Sequence, residues 1–172
     1  MLVPILAPRP HSMIFVERAP HLRRHPGQIA FPGGAADAVD GGDPVRTALR
    51  ELEEEIGVAP ARVRVVGRLP DSHQELYRFI ITPIVGVLDK STRFRVDGDE
   101  IADTFVVPLA EILTAGALYE DPAITKLRGK AMYAFDYEGQ HIWGFTGRML
   151  KSFVDAWSAP ESPLRVAVEA AL

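Results

Sequence analysis

The sequence predicts a mixed α/β (α+β) fold in which a mixed sheet lies between two substantial helices. The chain contains 14 Gly and 14 Pro among its 172 residues, which exceeds what a helical bundle requires and indicates many turns. Several short runs rich in β-branched and aromatic residues predict strands. Two longer segments, 43–57 and 145–157, carry apolar residues at helical spacing. Because no repeat or linker divides the chain, we expect a single domain over residues 1–172.

The predicted strands are spread along the chain. They cover residues 12–18, 27–34, 62–69, 77–88 and 103–109. Pro83 inside the fourth run predicts an edge strand or a bulge, because proline cannot donate to a strand ladder. A short helix at 109–113 is expected after the fifth run. Residues 131–144 predict a hairpin whose turn lies at Glu138 and Gly139.

Both long helices have recognisable sequence signals. Asp43 can cap the first helix, Pro44 suits the first helical position, and Gly57 suits its end. The second helix has an apolar face that recurs every four residues, formed by Phe145, Met149, Phe153 and Trp157. The tail from residue 160 onward is rich in Pro and Ala, and we expect it to fray or to pack on a partner.

Composition excludes several classes of function. The chain has 19 Lys and Arg against 23 Asp and Glu, a net charge of -4, so no basic field favours nucleic acid. It has no Cys, which excludes disulfides, thiol nucleophiles and thiolate zinc sites. The amino terminus lacks the pattern of a signal peptide and no run reaches membrane-spanning length. We therefore expect a cytoplasmic protein without a membrane partner, and the sequence allows a homodimer.

One face of the first helix is acidic. At about 100° per residue, Glu54 and Glu55 fall within about 60° of Glu51, so these carboxylates share one side. Glu53 points elsewhere and is expected to be solvated. Arg50 lies four residues before Glu54, where an ion pair is available. The apolar residues collect on another side and predict a buried stripe, which comprises Val45, Leu49, Leu52 and Ile56.

The clustered carboxylates indicate either a solvated acidic face or a metal site. Like charges at this spacing repel, and a hard divalent cation would offset the repulsion. Mg²⁺ takes oxygen ligands, commonly one or two carboxylates, and completes its shell with water and substrate phosphate. Upstream, Gly33 and Gly34 allow a close backbone approach in which N–H groups face an anion, although such a run is often an ordinary turn. Loop and helix together predict a diphosphate–metal site.

This loop and helix resemble the signature of the Nudix hydrolases. Its second half, Arg-Glu-aliphatic-any-Glu-Glu-any-Gly-aliphatic, matches throughout residues 50–58, RELEEEIGV. In the first half, five residues lead from Gly34 to Asp40, where the family has Glu, and nine rather than seven lead on to Arg50. The resemblance implies a Nudix-type α/β/α sandwich with a mixed sheet between helices, and it leaves the role of Asp40 open.

A pattern upstream is similar to the coenzyme A pyrophosphatase branch of that family. The matching positions are Arg18, Arg23, Gly27, Phe31, Pro32, Gly33 and Gly34. Residues 14–16 and Ala19 depart from the Leu-Leu-Thr and Ser of that branch, whereas ITPIVG and IWGFTGRML later in the chain also resemble it. The resemblance implies hydrolysis of the diphosphate of coenzyme A to 3′,5′-ADP and 4′-phosphopantetheine.

The resemblance also implies roles for individual residues. One or more Mg²⁺ or Mn²⁺ ions would be held by Glu51, Glu54 and Glu55. The catalytic positions would be Arg50, Glu51 and Glu54. The substrate-binding positions would be Arg18, Arg23, Gly33 and Gly34. The arginines are equally explained as surface charge at a strand end and in a loop.

Other functions are compatible with the sequence. The chain could hydrolyse another nucleoside diphosphate derivative, such as ADP-ribose or a dinucleotide, although the upstream spacing favours coenzyme A. A non-catalytic, nucleotide-binding regulatory domain belongs to a different class, and such domains often lose the glutamates that are present here.

Several further residues have both a functional and a structural explanation. The general base could come from loop residues that are equally explained as solvated, namely His73, Glu75, Asp99 and Glu100. Tyr77 and Trp143 could stack on an adenine or belong to the core.

Overall fold

A computed structural model describes residues 1–74 and 78–171 and contains a mixed sheet with helices on both faces. The strands are β1 Leu2–Ala7, β2 Ser12–Arg18, β3 Ile29–Ala30, β4 Arg64–Arg68, β5 Ser72–Gln74, β6 Phe79–Ile81, β7 Ile84–Asp89, β8 Ile101–Pro108, β9 Leu118–Glu120, β10 Tyr133–Tyr137 and β11 Gln140–Ile142. The α-helices are α1 Pro44–Ile56, α2 Leu109–Ile112, α3 Pro122–Arg128, α4 Gly144–Ser158 and α5 Pro163–Glu169. Short 3₁₀ helices, Ala38–Asp40 and Pro60–Arg62, flank α1.

The central sheet combines parallel and antiparallel pairing. Five strands follow the order β3-β2-β1-β7-β4, and β8 pairs with β2. β1 and β7 are parallel, whereas β2 is antiparallel to each of its neighbours β1, β3 and β8. The ladder between β2 and β8 runs from Ser12 opposite Pro108 to Arg18 opposite Ile101. The end of β2 therefore lies beside the start of β8, which matters for the site described below.

Alternation along the central strands supplies both faces of the sheet with apolar side chains. All six residues of β1 are buried, and successive residues point to opposite faces. One buried cluster joins the sheet to α1 and includes Leu2, Leu6, Ile14, Val16, Leu52 and Ile56. The other joins the opposite face to α4 and includes Val3, Ile5, Met13, Phe15, Met149 and Phe153. The predicted mixed α/β class with a sheet between helices is confirmed.

The predicted helix boundaries are confirmed. The Asp43 side chain accepts a hydrogen bond from the Val45 N–H at 2.8 Å, and Pro44 opens α1. Gly57 ends α1 with a φ of 70°, a left-handed conformation that glycine adopts without strain. The apolar face of α4 is buried at Met149 and its neighbours, as its periodicity predicts.

The hairpin and the proline-containing run also agree with expectation. Glu138 and Gly139 both have positive φ, at 47° and 83°, in the tight turn between β10 and β11. Pro83 divides the run predicted at 77–88, so that β6 ends before it and β7 starts after it. Residues Glu75 to Tyr77 lie outside the described residues.

Three parts of the chain differ from expectation. The amino-terminal segment was not predicted as a strand, yet β1 lies in the middle of the sheet. The short elements β5, β9 and α3 were not predicted either. The tail, expected to fray or to pack on a partner, forms α5 and packs on the chain itself. Val168 is buried, and the Arg64 guanidinium donates to the Ala171 carbonyl at 3.0 Å. No helix within residues 1–74 and 78–171 combines the length and apolarity needed to cross a bilayer.

The buried stripe of α1 predicts a large effect of Leu52→Ala. Leu52 is fully buried against the sheet, so its truncation removes apolar contact and leaves a cavity. We expect the free energy of unfolding, measured in urea, to fall by about 2–5 kcal/mol. Glu53→Ala on the exposed side of the same helix should change it by less than about 0.5 kcal/mol. Equal effects of the two substitutions would contradict the packing of α1 on the sheet.

Candidate functional site

The acidic face of α1 contains three carboxylates in three different environments. Glu55 is 4% exposed, and its Oε2 accepts a hydrogen bond from the Gly33 N–H at 2.9 Å. Glu51 is largely buried, with 13% of its side chain exposed, whereas the Glu54 side chain is 58% exposed. Glu53 is exposed, as predicted. The α1 face therefore runs from a buried carboxylate at Glu55 to a solvated one at Glu54.

The paired glycines lie directly against this face. Gly33 has a φ of 143°, and a Cβ there would lie 2.6 Å from the Met1 Cα. A Cβ on Gly34 would lie 2.5 Å from the Glu51 Oε2. At Gly33 the contact is with backbone and the φ is positive, so this position requires glycine, whereas a Cβ on Gly34 would force the end of the Glu51 side chain to move. The Gly33 N–H, expected to face an anion, faces the carboxylate of Glu55.

Arg50 connects the acidic face to the loop that precedes α1. Its Nη1 lies 2.7 Å from Glu54 Oε2 and 2.9 Å from Glu51 Oε1, so the predicted Arg50–Glu54 ion pair is present. Its Nε and Nη2 donate to the two oxygens of Asp40 at 3.0 and 3.1 Å. Nη2 also donates to the Ala35 carbonyl at 3.0 Å. One guanidinium thus fixes two of the carboxylates and the loop together.

Asp40 is the structural partner of Arg50. It is 2% exposed and also accepts from the Thr47 hydroxyl and from the Asp37 N–H, each at 2.9 Å. Hydrogen bonds from Arg50 are the main reason that the pKa of Asp40 lies well below its usual range. The 3₁₀ helix Ala38–Asp40 occupies the lengthened part of the loop and delivers the aspartate to Arg50. The residues that lengthen the loop therefore place Asp40 in a buried ion pair with Arg50.

Burial shifts the pKa values of the two inner carboxylates upward. Desolvation raises the pKa of Glu55 to about 7, and the negative charges of Glu51 and Glu100 add to the effect. The Gly33 hydrogen bond and the charge of Arg18 act in the opposite direction. Desolvation also raises the pKa of Glu51, opposed by Arg50. Burial is therefore the main reason that both carboxyl groups have raised pKa values.

These residues fit a hard divalent cation by their chemistry. They offer only carboxylate oxygens, the donors that Mg²⁺ and Mn²⁺ prefer, and their raised pKa values indicate that added positive charge would be favourable. Within the described ranges, no group of three or more His, Cys, Asp or Glu side chains already converges as a metal site. Glu51 and Glu54 are directed to Arg50, and Glu55 is directed to Gly33.

A cavity of about 740 Å³ adjoins the acidic face. Its wall includes Glu55, Gly33, Gly34 and Arg18. The Arg18 Nε is buried without a hydrogen-bond partner, which is unusual for a guanidinium and leaves a donor available to an anion. The volume lies within the range of small-molecule sites, about 300–1,000 Å³.

The predicted substrate residues are therefore only partly brought together. Arg23 is exposed and does not contribute to the cavity wall as described, whereas its neighbour Arg24 does. Both arginines are exposed, and a substrate-binding role for Arg23 stays a prediction. Trp143 lies on the wall, half-buried, and Tyr77 is outside the described residues.

The residues considered for a general base are scattered. Glu100 lies near the acidic face because β8 starts beside the end of β2, where the Ala19 N–H donates to the Glu100 carbonyl at 2.8 Å. Its charge contributes to the raised pKa values of Glu51 and Glu55. Asp99 is exposed, and His73 lies in β5 rather than in a loop. Glu75 is outside the described residues.

Sequence reasoning missed several wall residues. Phe79, Phe145 and Thr146 contribute to the cavity together with Arg24. Phe145 packs against the core cluster, as its helical spacing predicts, and also lines the cavity, whereas Phe79 lies in β6. The exposed fraction of Phe79, 45%, is the signal that distinguishes it from a core residue, and it is visible only in the fold.

A comparison with known families gives a clear match. The family model described as NUDIX domain matches residues 1–127. The chain is 37% identical over 150 residues to NudL of Pectobacterium atrosepticum, an uncharacterised Nudix hydrolase, covering 87% of this chain and 77% of that protein. It is 33% identical over 151 residues to NudL of Salmonella paratyphi B, also uncharacterised, covering 88% and 78%.

Solved structures share the fold at low sequence identity. An Ap4A hydrolase of C. elegans aligns with a TM-score of 0.53 and 15% identity, covering 65% of this chain and 80% of that one. The Nudix hydrolase RenU of M. smegmatis aligns with a TM-score of 0.52 and 18% identity, covering 74% and 81%. These similarities confirm the predicted α/β/α sandwich and concern the fold alone.

The burial of Glu55 predicts that Glu55→Gln stabilises the metal-free protein at alkaline pH. The folded-state pKa, about 7, exceeds the ordinary value of 4.5, so stability falls as the pH rises through that interval. Glutamine keeps an acceptor for the Gly33 N–H but carries no charge. In EDTA near pH 8, we expect the variant to be more stable by on the order of 3 kcal/mol at most.

Urea unfolding at about pH 4 and about pH 8 measures this difference, which should nearly vanish at the lower value because the wild-type carboxyl is then largely protonated in both the folded and the unfolded state. Glu53→Gln is the matched control and should show no such pH-dependent gain. If the stability that Glu55→Gln gains over wild type does not increase from the lower to the higher pH, the free-energy cost assigned to burying Glu55 is contradicted.

Proposed function

The chain belongs to the Nudix hydrolase family, and we propose that it cleaves the diphosphate of coenzyme A or its derivatives with the help of a divalent metal. The products would be 3′,5′-ADP and 4′-phosphopantetheine. One observation carries the proposal. Arg18, from the pattern similar to the coenzyme A branch, shares a cavity wall with Gly33 and Glu55.

Hydrolysis of a diphosphate requires positioning more than covalent chemistry. The water oxygen bonds to one phosphorus, the bond from that phosphorus to the bridging oxygen breaks, and the bridging oxygen leaves with the other product. The attacking water loses its protons to the surrounding solvent or to a base. Catalysis then depends on holding the reactants in line and on stabilising charge on the phosphoryl oxygens.

The chain's own residues supply the positioning. The unpartnered Nε of Arg18 is available to donate to a phosphate oxygen on the cavity wall. The Gly33 N–H holds the Glu55 carboxylate in one orientation. Arg50 holds Glu51 and Glu54 against the loop. Glu51, Glu54 and Glu55 would hold Mg²⁺ or Mn²⁺, which would neutralise phosphoryl charge and lower the pKa of water.

The substrate assignment is tested with a panel of diphosphates. The full chain with Mg²⁺ or Mn²⁺ is incubated separately with coenzyme A, its oxidised and acylated forms, ADP-ribose and a diadenosine polyphosphate. The products are then identified. We expect coenzyme A or one of its derivatives to have the highest kcat/KM. Equal or faster turnover of ADP-ribose would overturn the substrate, and absence of any turnover with retained nucleotide binding would favour a regulatory domain.

Glu54→Gln tests the metal face. Glu54 is exposed and, among the described residues, forms an ion pair with Arg50, so the variant should fold normally. Loss of a metal ligand should lower kcat by more than about 100-fold, since even outer-shell partners cost 10–100-fold. Glu53→Gln, one residue away on the solvated side of α1, is the control and should keep near-normal activity. Near-normal kcat in Glu54→Gln would remove this residue from the metal site.

Asp40→Asn tests the positioning of Arg50. The amide removes the charge that holds the guanidinium, so Glu51 and Glu54 lose their fixed partner. We expect kcat to fall about 10- to 100-fold while KM changes little. Asp155→Asn, which disrupts the exposed pair with Lys151, should leave kcat unchanged. If kcat of Asp40→Asn matches the wild type while circular dichroism shows it folded, Asp40 has no positioning role.

A further inference from the structure

We propose that Asp97 is a positioning residue of the site: its backbone holds the end of α1 that carries Glu55, and its side chain holds Glu100 beside that end. The inference rests on the proposed function only for the divalent cation that the acidic face would hold, and it is independent of the substrate. It gives a role to the connection between β7 and β8, which lies outside α1 and the glycine loop.

This connection caps the carboxyl-terminal end of α1. The last carbonyls of a helix have no partner within the helix. Here the Arg95 N–H donates to the Ile56 carbonyl at 2.9 Å, and the Asp97 N–H donates to the Glu55 carbonyl at 3.1 Å. Alternate residues of an extended segment face the same way, so one passing segment supplies both donors. The position of Asp97 is therefore tied to Glu55, the most buried carboxylate of the face.

Apolar packing reinforces the cap. The side chains of Phe94 and Val96 alternate with the two donors and pack against the buried cluster between the sheet and α1. The segment also approaches Gly57 closely, since a Cβ there would lie 3.2 Å from the Arg95 carbonyl oxygen. Asp97 is thus placed by backbone and apolar contacts that a change of its own side chain leaves intact.

The side chain of Asp97 holds the start of β8. Its Oδ1 accepts from the Ile101 N–H at 2.9 Å, and its two oxygens accept from the Glu100 N–H at 3.3 and 3.2 Å. The Gly98 N–H closes the same turn on the Ile101 carbonyl at 3.2 Å. Aspartate suits this role because its short side chain reaches nearby backbone donors. Without the carboxylate, two N–H groups at the start of β8 lose this acceptor.

Glu100 thereby lies beside the acidic face. Its carbonyl accepts from the N–H of Ala19, which directly follows β2, at 2.8 Å. Its charge raises the pKa values of Glu51 and Glu55, so its carboxylate lies near both. The residue is exposed, and none of the ion pairs found within residues 1–74 and 78–171 involves it. This carboxylate is therefore available to add its charge to the site.

The position of Glu100 matters for a cation because electrostatic attraction falls with distance. A turn that relaxes and lets Glu100 move away from α1 would lower the affinity of the face for a divalent cation. Residues that orient the groups around a metal typically contribute about 10- to 100-fold in metal affinity. Asp97 would act in this way, through Glu100 and without touching the cation.

The same connection contains a comparable aspartate at a distance from the site. Asp89 Oδ1 accepts from the Ser91 N–H at 2.7 Å, in a turn that follows β7. The start of β1 adjoins the glycine loop, where the Leu2 N–H donates to the Pro32 carbonyl at 2.9 Å. Asp89 instead lies opposite Ala7, at the far end of β1, about 16 Å of strand away. It provides a matched control.

Manganese affinity tests the role of Asp97 without turnover. The full chain is titrated with Mn²⁺, and free Mn²⁺ is measured by electron paramagnetic resonance. Asp97→Ala should raise the Kd about 10- to 100-fold. Asp97→Asn keeps an oxygen acceptor for the same N–H groups, so it should bind Mn²⁺ like wild type, as should Asp89→Ala. Equal losses in Asp97→Asn and Asp97→Ala, or an equal loss in Asp89→Ala, would overturn the positioning role.

A double-mutant cycle tests the route through Glu100. Glu100→Gln alone should weaken Mn²⁺ binding, and adding Asp97→Ala should cause little further loss, because no charge is left to position. Losses that add in full would overturn this route, and so would wild-type affinity in Glu100→Gln. The Glu100 variant keeps the Asp97 side chain, so it tests the inference even if Asp97→Ala fails to fold.

The outcomes separate this inference from the proposed function. If the Mn²⁺ affinities follow the expected pattern but coenzyme A is not hydrolysed, Asp97 keeps its role and the proposed substrate falls. If coenzyme A is hydrolysed but Asp97→Ala binds Mn²⁺ like wild type, the inference is wrong and the function stands. A wild-type chain that binds no Mn²⁺ would overturn both.

Discussion

The guanidinium of Arg50 is the contact on which the geometry of the site depends. It meets Glu51, Glu54, both oxygens of Asp40 and the Ala35 carbonyl at 2.7 to 3.1 Å. These partners come from two elements, the helix and the loop before it, so one planar group sets their separation. Because α1 is fixed on the sheet by its buried stripe, the loop is fixed relative to the sheet as well. Contacts within the chain therefore hold the carboxylates of Glu51 and Glu54 in place.

Burial of the Glu55 carboxylate in this arrangement costs electrostatic free energy. Its carboxylate is buried beside other negative charges, and one hydrogen bond from Gly33 compensates only part of the desolvation, so its pKa rises to about 7. Asp40 has a similarly low exposed fraction, but its hydrogen bonds from Arg50, Asp37 and Thr47 outweigh its desolvation, and its pKa falls. The two acids therefore differ in the influence that is largest, which is desolvation at Glu55 and hydrogen bonding at Asp40. An acid compensated by hydrogen bonds is typical of a structural ion pair, whereas a buried acid with a raised pKa is typical of functional sites.

The sequence allowed prediction of those features that local signals determine. Both ends of α1 were predicted correctly, because Asp43 and Pro44 at its start and Gly57 at its end are local signals that each act on the nearest helical turn. β1 was missed because it is buried on both faces and interrupted by Pro4, so it shows neither alternation nor an uninterrupted apolar run. The place of Arg24 on the cavity wall was not predicted, because the direction of a loop side chain depends on tertiary contacts. The role of Asp40 was not predicted, because it depends on the 3₁₀ helix Ala38–Asp40, which brings the aspartate to Arg50, ten residues later in the chain.

The carboxylate face and the aromatic residues of the cavity reside on different elements. The carboxylates and Arg50 belong to α1, whereas Phe79 belongs to β6 and Phe145 belongs to α4. The sheet between α1 and α4 is covered on both faces by buried apolar clusters. A substitution at Phe79 or Phe145 therefore changes the cavity wall without altering the helix that carries the carboxylates.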